Sequence, residues 1–357
     1  MQSDSTSEMR ALNVVAMGGG TGLSTLLRGL KQYVRPAAAE IQPAGIFPSI
    51  ADLSAIVTVS DDGGSSGRLR KELNLPAPGD VRSCIVALSE EEALLSRLFQ
   101  YRFPAGEGLG GHSFGNLFLS AMTAITGDFS QAVKHSSAIL ATRGHIYPAT
   151  TSNAQLYAIM DDGSFVGGET NITASQRRIV ELRMAPANAR ALPRALEAIE
   201  NADLITMGPG SLFTSLVPNL LVRDVAKAIA NSHAIKVFVC NLMTQANESL
   251  GLSASDHVRA LYMHARYRFF DYALVNRLPA SPALAAKYAE KQQSQIEPDI
   301  EAIEALGVKP VLGEYLLEEM RQDGLVARHN THRVAQDLLQ LMMELREAPV
   351  PALRRDS

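Results

Sequence analysis

Four short apolar runs punctuate the chain, and each empties into small or polar residues. Leu12 to Met17 leads into Gly18 to Gly22, and Ser54 to Ser60 into Asp61 to Gly67. Asp203 to Met207 leads into Gly208 to Ser211, and Ile235 to Cys240 into Asn241 to Gln245. Short runs that are apolar on successive positions predict strands covered on both faces. The intervening segments carry helices, among them Ser24 to Tyr33 and a helix through Cys84 to Leu88. Strands alternating with helices predict an α/β fold, a mostly parallel sheet with helices on both faces. The four strand ends then share one edge of the sheet, and ligands of such sheets bind in the crevice there. Arg35 to Leu53, rich in Pro and Ala, reads as an insertion, and no internal repeat is present. Residues 1–10 and 348–357 are expected to be disordered tails on a single domain spanning 11–347.

The glycine runs give the strand ends their chemistry. A buried strand that passes through Gly18, Gly19, Gly20, Thr21 and Gly22 into a helix presents backbone N–H groups to an anion without Cβ obstruction. The second run adds adjacent carboxylates, Asp61 and Asp62, followed by Ser65 and Ser66. The carboxylates are suited to a magnesium ion or a ribose hydroxyl beside that anion. Neighbouring residues in extended chain diverge, so one of the pair is expected to face the ligand while the other caps the next turn or is hydrated. Common phosphate fingerprints fail. Gly22 is followed by Leu23 and Ser24 rather than Lys and Ser or Thr, which disfavours a Walker-type ATPase. Leu23 also breaks the spaced-glycine pattern of dinucleotide folds.

Further polar groups cluster at predicted helix entrances. Asp80, in Pro78 to Arg82, reads either as an N-cap worth about 1 kcal/mol or as a site carboxylate. His112 and Asn116, four residues apart in Gly110 to Asn116, would share one face of a helix and suit a base, sugar or carboxylate. Gly208, Gly210 and Ser211 form a second backbone nest, while Asn241, Thr244 and Gln245 offer amides and a hydroxyl. Later in the chain, Tyr288 is a stacking candidate and Arg328 a phosphate partner. His329 and His332 are expected to be exposed.

Composition narrows the class. With 357 residues, 46% of them hydrophobic, the chain can bury a large core unaided by metal or disulfide. Two cysteines in apolar contexts and no secretory segment are the pattern of a cytoplasmic protein. No apolar run reaches membrane-spanning length. A net charge of −4 gives no nucleic-acid footprint, Arg68, Arg70 and Lys71 being a local positive cluster that suits a solvated helix face equally well.

The order of these motifs resembles the bacterial gluconeogenesis factors, relatives of the CofD-like 2-phospho-L-lactate transferases. The resemblance runs from about Leu12 to His332 and rests on the Gly18 to Gly22 loop, TVSDDGGSSGRLR from Thr58, Pro78 to Arg82, GHSFGNLFL from Gly111, GPGSLFTSLVPNLL from Gly208, and Asn241 to Gln245. Ser83, where Asn is usual, and Ala246, where Gly is usual, depart from the pattern without removing a charge. The resemblance implies a Rossmann-like fold with helical and C-terminal additions, whose site takes a nucleotide diphosphate conjugate. In the gluconeogenesis-factor branch that ligand is a UDP-sugar, notably UDP-N-acetylglucosamine. The implied role is regulatory, linking carbon metabolism to cell-wall precursor supply and cell shape through a partner enzyme of amino-sugar synthesis, with the protein a homodimer. The other reading is a transferase that moves a phospho-acyl group from a nucleotide diphosphate donor, with magnesium beside Asp61 and Asp62.

Overall fold

The computed structural model describes residues 10–35, 47–90, 94–104, 106, 108–175, 177–322 and 324–347. Twelve strands are found among these: β1 Leu12–Gly18, β2 Ile50–Val57, β3 His145–Pro148, β4 Gln155–Met160, β5 Phe165–Gly167 and β6 Ile179–Ala185, then β7 Leu204–Met207, β8 Ile235–Val239, β9 Tyr272–Asn276, β10 Lys309–Gly313, β11 Leu316–Arg321 and β12 Gly324–His329. Seven form one sheet in the order β10-β9-β8-β7-β1-β2-β3, every neighbouring pair parallel. The expected parallel α/β architecture is therefore present. Strand order reverses between β1 and β7, and such a reversal opens a crevice at the carboxyl ends of the strands.

Alternation along the central strands distributes side chains to the two faces. Leu12, Val14 and Ala16 of β1 join one core with Leu23, Leu26, Leu27 and Leu30, whereas Val15 and Met17 join the other with Leu212 and Leu216. Burying one such leucine contributes about 1.5–3 kcal/mol. Each face is thus held by helices whose starts lie at the strand ends.

Three features differ from expectation. The helix expected from Ser24 begins earlier: α1 spans Gly20–Leu30, because Gly20, at φ +58°, lets the helix start inside the glycine run. The strand expected at Ser54 begins at Ile50, which pairs with Val34 while Arg35 donates to the Ile50 carbonyl. The proposed 35–53 insertion consequently ends before β2, and its residues 36–46 lie outside the described residues. Of the proposed tails, 1–9 and 348–357 lie outside them too, while Arg10 accepts a hydrogen bond at its carbonyl from Arg346.

Two small sheets augment the main one. β5-β4-β6 is antiparallel and turns Leu156, Ala158 and Met160 inward while intervening residues face outward. β11 and β12 form a hairpin that places His329 opposite Leu316. Among the described residues no helix is long and apolar enough to cross a membrane.

Candidate functional site

A cavity of about 450 Å³ lies where β1 and β7 diverge. Its floor is the first turn of α1. The Gly20 N–H is taken by the Asp80 carboxylate, while the N–H groups of Thr21 and Gly22, cavity-lining residues, precede Leu23, the first donor to a helical carbonyl, that of Gly19. Opposite stand Pro209, Gly210 and Ser211 from the end of β7. The two loops approach so closely that a Cβ on Gly22 would lie 2.9 Å from Gly210 Cα and closer still to the Pro209 carbonyl. Glycine at position 22 is thus a packing requirement as well as an opening for a ligand.

The loop after β8 locks this arrangement. Asn241 accepts from Gly210 N–H at 3.0 Å and donates to the Gly210 carbonyl at 2.7 Å. Gln245 donates to Ser211 Oγ at 2.9 Å and keeps its Oε1 buried without a partner. Thr244 is nearly fully buried, its hydroxyl accepting from Ser294 N–H. Gly208 lies behind the cavity: at φ +88° it packs on the Val239 carbonyl, where a side chain would collide.

Two carboxylates face the cavity, Asp80 and Glu169. Asp80 sits in the first turn of α3, Gly79–Leu88, whose cap position is Pro78, so the N-cap role is not what the side chain performs. It keeps some exposed surface, but burial of its carboxyl and the nearby Asp61 push it up to about 7. Glu169 starts the short helix Glu169–Ala174 and is pushed up to about 9, by burial first and then by Asp61, Asp80, Glu248 and Asp62. Both acids hold protons when most carboxylates have lost theirs. Negative charge beside the phosphate-sized loop is thereby reduced.

The expected carboxylate pair is arranged differently. Asp61 and Asp62 lie outside the cavity wall. Asp61 accepts from Gly63 N–H at 2.9 Å and acts on Asp80 and Glu169 through space. Asp62 accepts from both the backbone N–H and hydroxyl of Thr170, at 2.8 and 2.7 Å, anchoring the helix that carries Glu169. Among the described residues no three His, Cys, Asp or Glu side chains gather as metal ligands. Each of Asp61 and Asp62 spends one carboxylate oxygen on Gly63 or Thr170, and neither lines the cavity, so a magnesium ion held by them would lie outside its wall. Magnesium otherwise needs only one or two carboxylates beside phosphate oxygens, and Asp80 is the one positioned for that.

Ser65, Ser66, His112 and Asn116 also sit away from the cavity, in a buried polar cluster. Ser65 Oγ bonds His112 Nδ1 at 3.0 Å and accepts from Asn116 Nδ2 at 3.1 Å, with Ser66 3.5 Å from the same amide. His112 and Asn116 do not share a helical face. The helix Phe114–Thr126 is capped by Ser113, leaving His112 outside it. Their convergence fastens that helix to α2, Gly64–Leu73. Of the basic residues, Arg68 and Lys71 are exposed, as on a solvated face, with Arg68 donating to the Gly110 carbonyl, whereas Arg70 is buried and donates to Asn153 Oδ1 and the Ser60 carbonyl. Ser83 Oγ bonds back to the Gly79 carbonyl.

The hairpin β11-β12 and the helix Pro282–Ala289 close the far wall. Tyr288 lines the cavity with its hydroxyl already accepting from Ala327 N–H, and Arg328 lines it with a buried Nε that has no partner. His329 is here as well, contrary to the exposure expected of it. Its Nε2 donates to the Cys240 carbonyl at 3.0 Å, and burial pushes its pKa down to about 4. Glu169, Thr25, Ser215, Gln293 and His329 are wall residues that sequence reasoning missed. Glu169 follows a glycine pair and Gln293 follows Tyr288 closely, but neither carries a local motif.

A model of the family described as 2-phospho-L-lactate transferase CofD matches residues 14–316. The chain belongs to the CofD family. Within it, the chain is 46% identical to the gluconeogenesis factor of Halalkalibacterium halodurans, over 93% of this chain and 97% of that one. It is 43% identical to the gluconeogenesis factor of Bacillus subtilis, over 93% and 98%. A crystal structure of a UPF0052 family member from Bacillus halodurans superposes with a TM-score of 0.84 at 45% identity, covering 93% of this chain and all of that one. This CofD-family chain is therefore similar to the gluconeogenesis factors along nearly its whole length.

Proposed function

We propose that the chain binds a nucleoside diphosphate sugar, with a UDP-sugar such as UDP-N-acetylglucosamine the expected ligand, and acts as a regulator rather than by turnover. One observation carries this reading. The ends of β8, β7, β1 and β2 follow one another in the sheet, and three strand spacings span about 14 Å. Free N–H groups and the Pro209 to Ser211 loop occupy the middle of that row, suited to a diphosphate. Tyr288, Arg328, His329 and Gln293 stand at the β8 end, with the ring and amides that a base requires. Glu169, on the helix anchored by Asp62, stands toward the other end, where a carboxyl group suits sugar hydroxyls, while Asp80 lies against the Gly19 and Gly20 loop. Such a layout takes a ligand with its anionic part in the centre and a polar ring at each end.

We propose with it a regulatory role, with an enzyme of amino-sugar synthesis as partner, a homodimer as the assembly and the cytoplasm as the compartment; the relatives' name, gluconeogenesis factor, supports the general role alone. A second reading, transfer of a phospho-acyl group from the diphosphate, draws on the family description and on Asp80 beside the loop, where it could hold magnesium on phosphate oxygens. Calorimetric titration with UDP-N-acetylglucosamine, UDP-glucose, GDP and NAD, with and without Mg²⁺, followed by mass analysis, separates the readings. Selective binding of an unconsumed UDP-sugar is expected. Preference for GDP, or Mg²⁺-dependent loss of ligand, overturns the regulator in favour of the transferase.

A further inference from the structure

We propose that His329 is a specificity residue that accepts the imide N–H of a uracil base, so that the site distinguishes uridine from cytidine nucleotides. The inference rests on the nucleoside diphosphate reading above and adds to it the identity of the group that reads the base. Its basis is the fixed tautomer of a half-buried ring. A backbone carbonyl only accepts, so the 3.0 Å contact from Nε2 to the Cys240 oxygen requires the proton on Nε2. Nδ1 is left as a bare lone pair. It makes no hydrogen bond among the described residues and is not sealed in the interior, and the ring stands in the cavity wall.

Its surroundings keep it an acceptor. The pKa held near 4 leaves the ring neutral across the physiological range. The neighbouring thiol, Cys240, is pushed up to about 12 and stays protonated, and Arg328 beside it in β12 adds positive charge rather than a second acceptor. The Tyr288 oxygen already accepts Ala327 N–H, and its hydroxyl proton stays available to a carbonyl of the base. Uracil offers an N–H flanked by two carbonyls, which complements a lone pair in a wall to which Arg328 also contributes. Cytosine offers a ring lone pair at the same position, and two lone pairs facing each other in a buried wall are unfavourable.

The test measures affinities of the wild-type full-length chain and a His329→Leu variant for UDP, CDP and N3-methyl-UDP. In the wild type, UDP is expected to bind about tenfold or more tightly than either other probe. In His329→Leu, UDP affinity is expected to fall about tenfold while CDP changes little, bringing their ratio close to one. Equal wild-type affinities for the three probes overturn the proposal without any variant, so it stays testable if His329→Leu does not fold. Equal losses for UDP and CDP in the variant overturn it too, since they would mean that His329 only fastens the hairpin. If the wild type binds none of the three, the nucleotide reading itself fails; binding of all three without discrimination leaves that reading intact and removes only this one.

Discussion

Asn241 and Gly210 bond each other twice, the side-chain amide of one closing a ring with both backbone groups of the other at 3.0 and 2.7 Å. This pairing holds the loop after β7 to the loop after β8, and both loops form cavity wall. Replacing Asn241 with Leu leaves the Gly210 N–H and carbonyl without partners. A loss of about 1–3 kcal/mol is expected, with weaker UDP-N-acetylglucosamine binding. Urea denaturation and titration on the same variant check both parts. Unchanged stability would show that water replaces the amide and that the loop needs no lock.

Thr21 presents a different case, because its side chain is exposed in the cavity while its carbonyl accepts from Ser24 and Thr25. Thr21→Val keeps the branched shape and removes only the hydroxyl. Nucleotide-sugar affinity is expected to fall about fivefold to tenfold, equivalent to about 1 kcal/mol, with the thermal midpoint nearly unmoved. Titration calorimetry beside a melting curve decides it. Full affinity in the variant would remove the hydroxyl from the binding site.

Asp80 makes binding pH-dependent. With its carboxyl pushed up to about 7, the folded protein keeps a proton there that the unfolded chain releases near pH 4. Its contribution to stability therefore falls as pH rises from about 4 to about 7. In the same sense, ionisation above pH 7 puts negative charge beside the loop proposed to hold diphosphate. UDP-N-acetylglucosamine, whose diphosphate has no proton to lose in this range, is expected to bind about threefold to tenfold more weakly at pH 8 than at pH 6. Glu169, held near 9, stays protonated throughout that window. Asp80→Asn should flatten the profile, and a slope that survives in it would assign the titration elsewhere.

The parts of this site legible in the sequence are those made by contiguous chain. Gly18 to Gly22 and Gly208 to Ser211 announce themselves because a strand, a glycine turn and a helix start are local events. The strand ends could be placed on one edge because parallel topology forces it. What was not legible depends on distant partners. Asp61 and Asp62 look alike in sequence, yet Thr170, 108 residues away, commits Asp62 to a helix start. That same helix carries Glu169 into the cavity from an antiparallel sheet with no motif of its own. His112 and Asn116 have helical spacing, but the Ser113 cap places one outside the helix and both on Ser65. His329 carries no local mark of its place in the cavity wall, because the carbonyl that holds its ring belongs to Cys240, 89 residues away.

Gly22 tests whether the cavity floor is set by packing. The residue lies inside α1, where alanine ordinarily stabilises a helix by about 1 kcal/mol over glycine. Here a Cβ would lie 2.9 Å from Gly210 Cα and 2.7 Å from the Pro209 carbonyl carbon, and both are backbone that cannot swing aside as a flexible side chain can. The steric term opposes the propensity term and is the larger, since relieving it requires α1 and the Pro209 loop to separate. Gly22→Ala is expected to destabilise the protein by about 1–3 kcal/mol and to weaken nucleotide binding, because the separating elements are the two sides of the cavity floor. Chemical denaturation together with UDP titration checks this. A more stable Gly22→Ala protein would mean that helix propensity wins and that the two loops are not in the contact described.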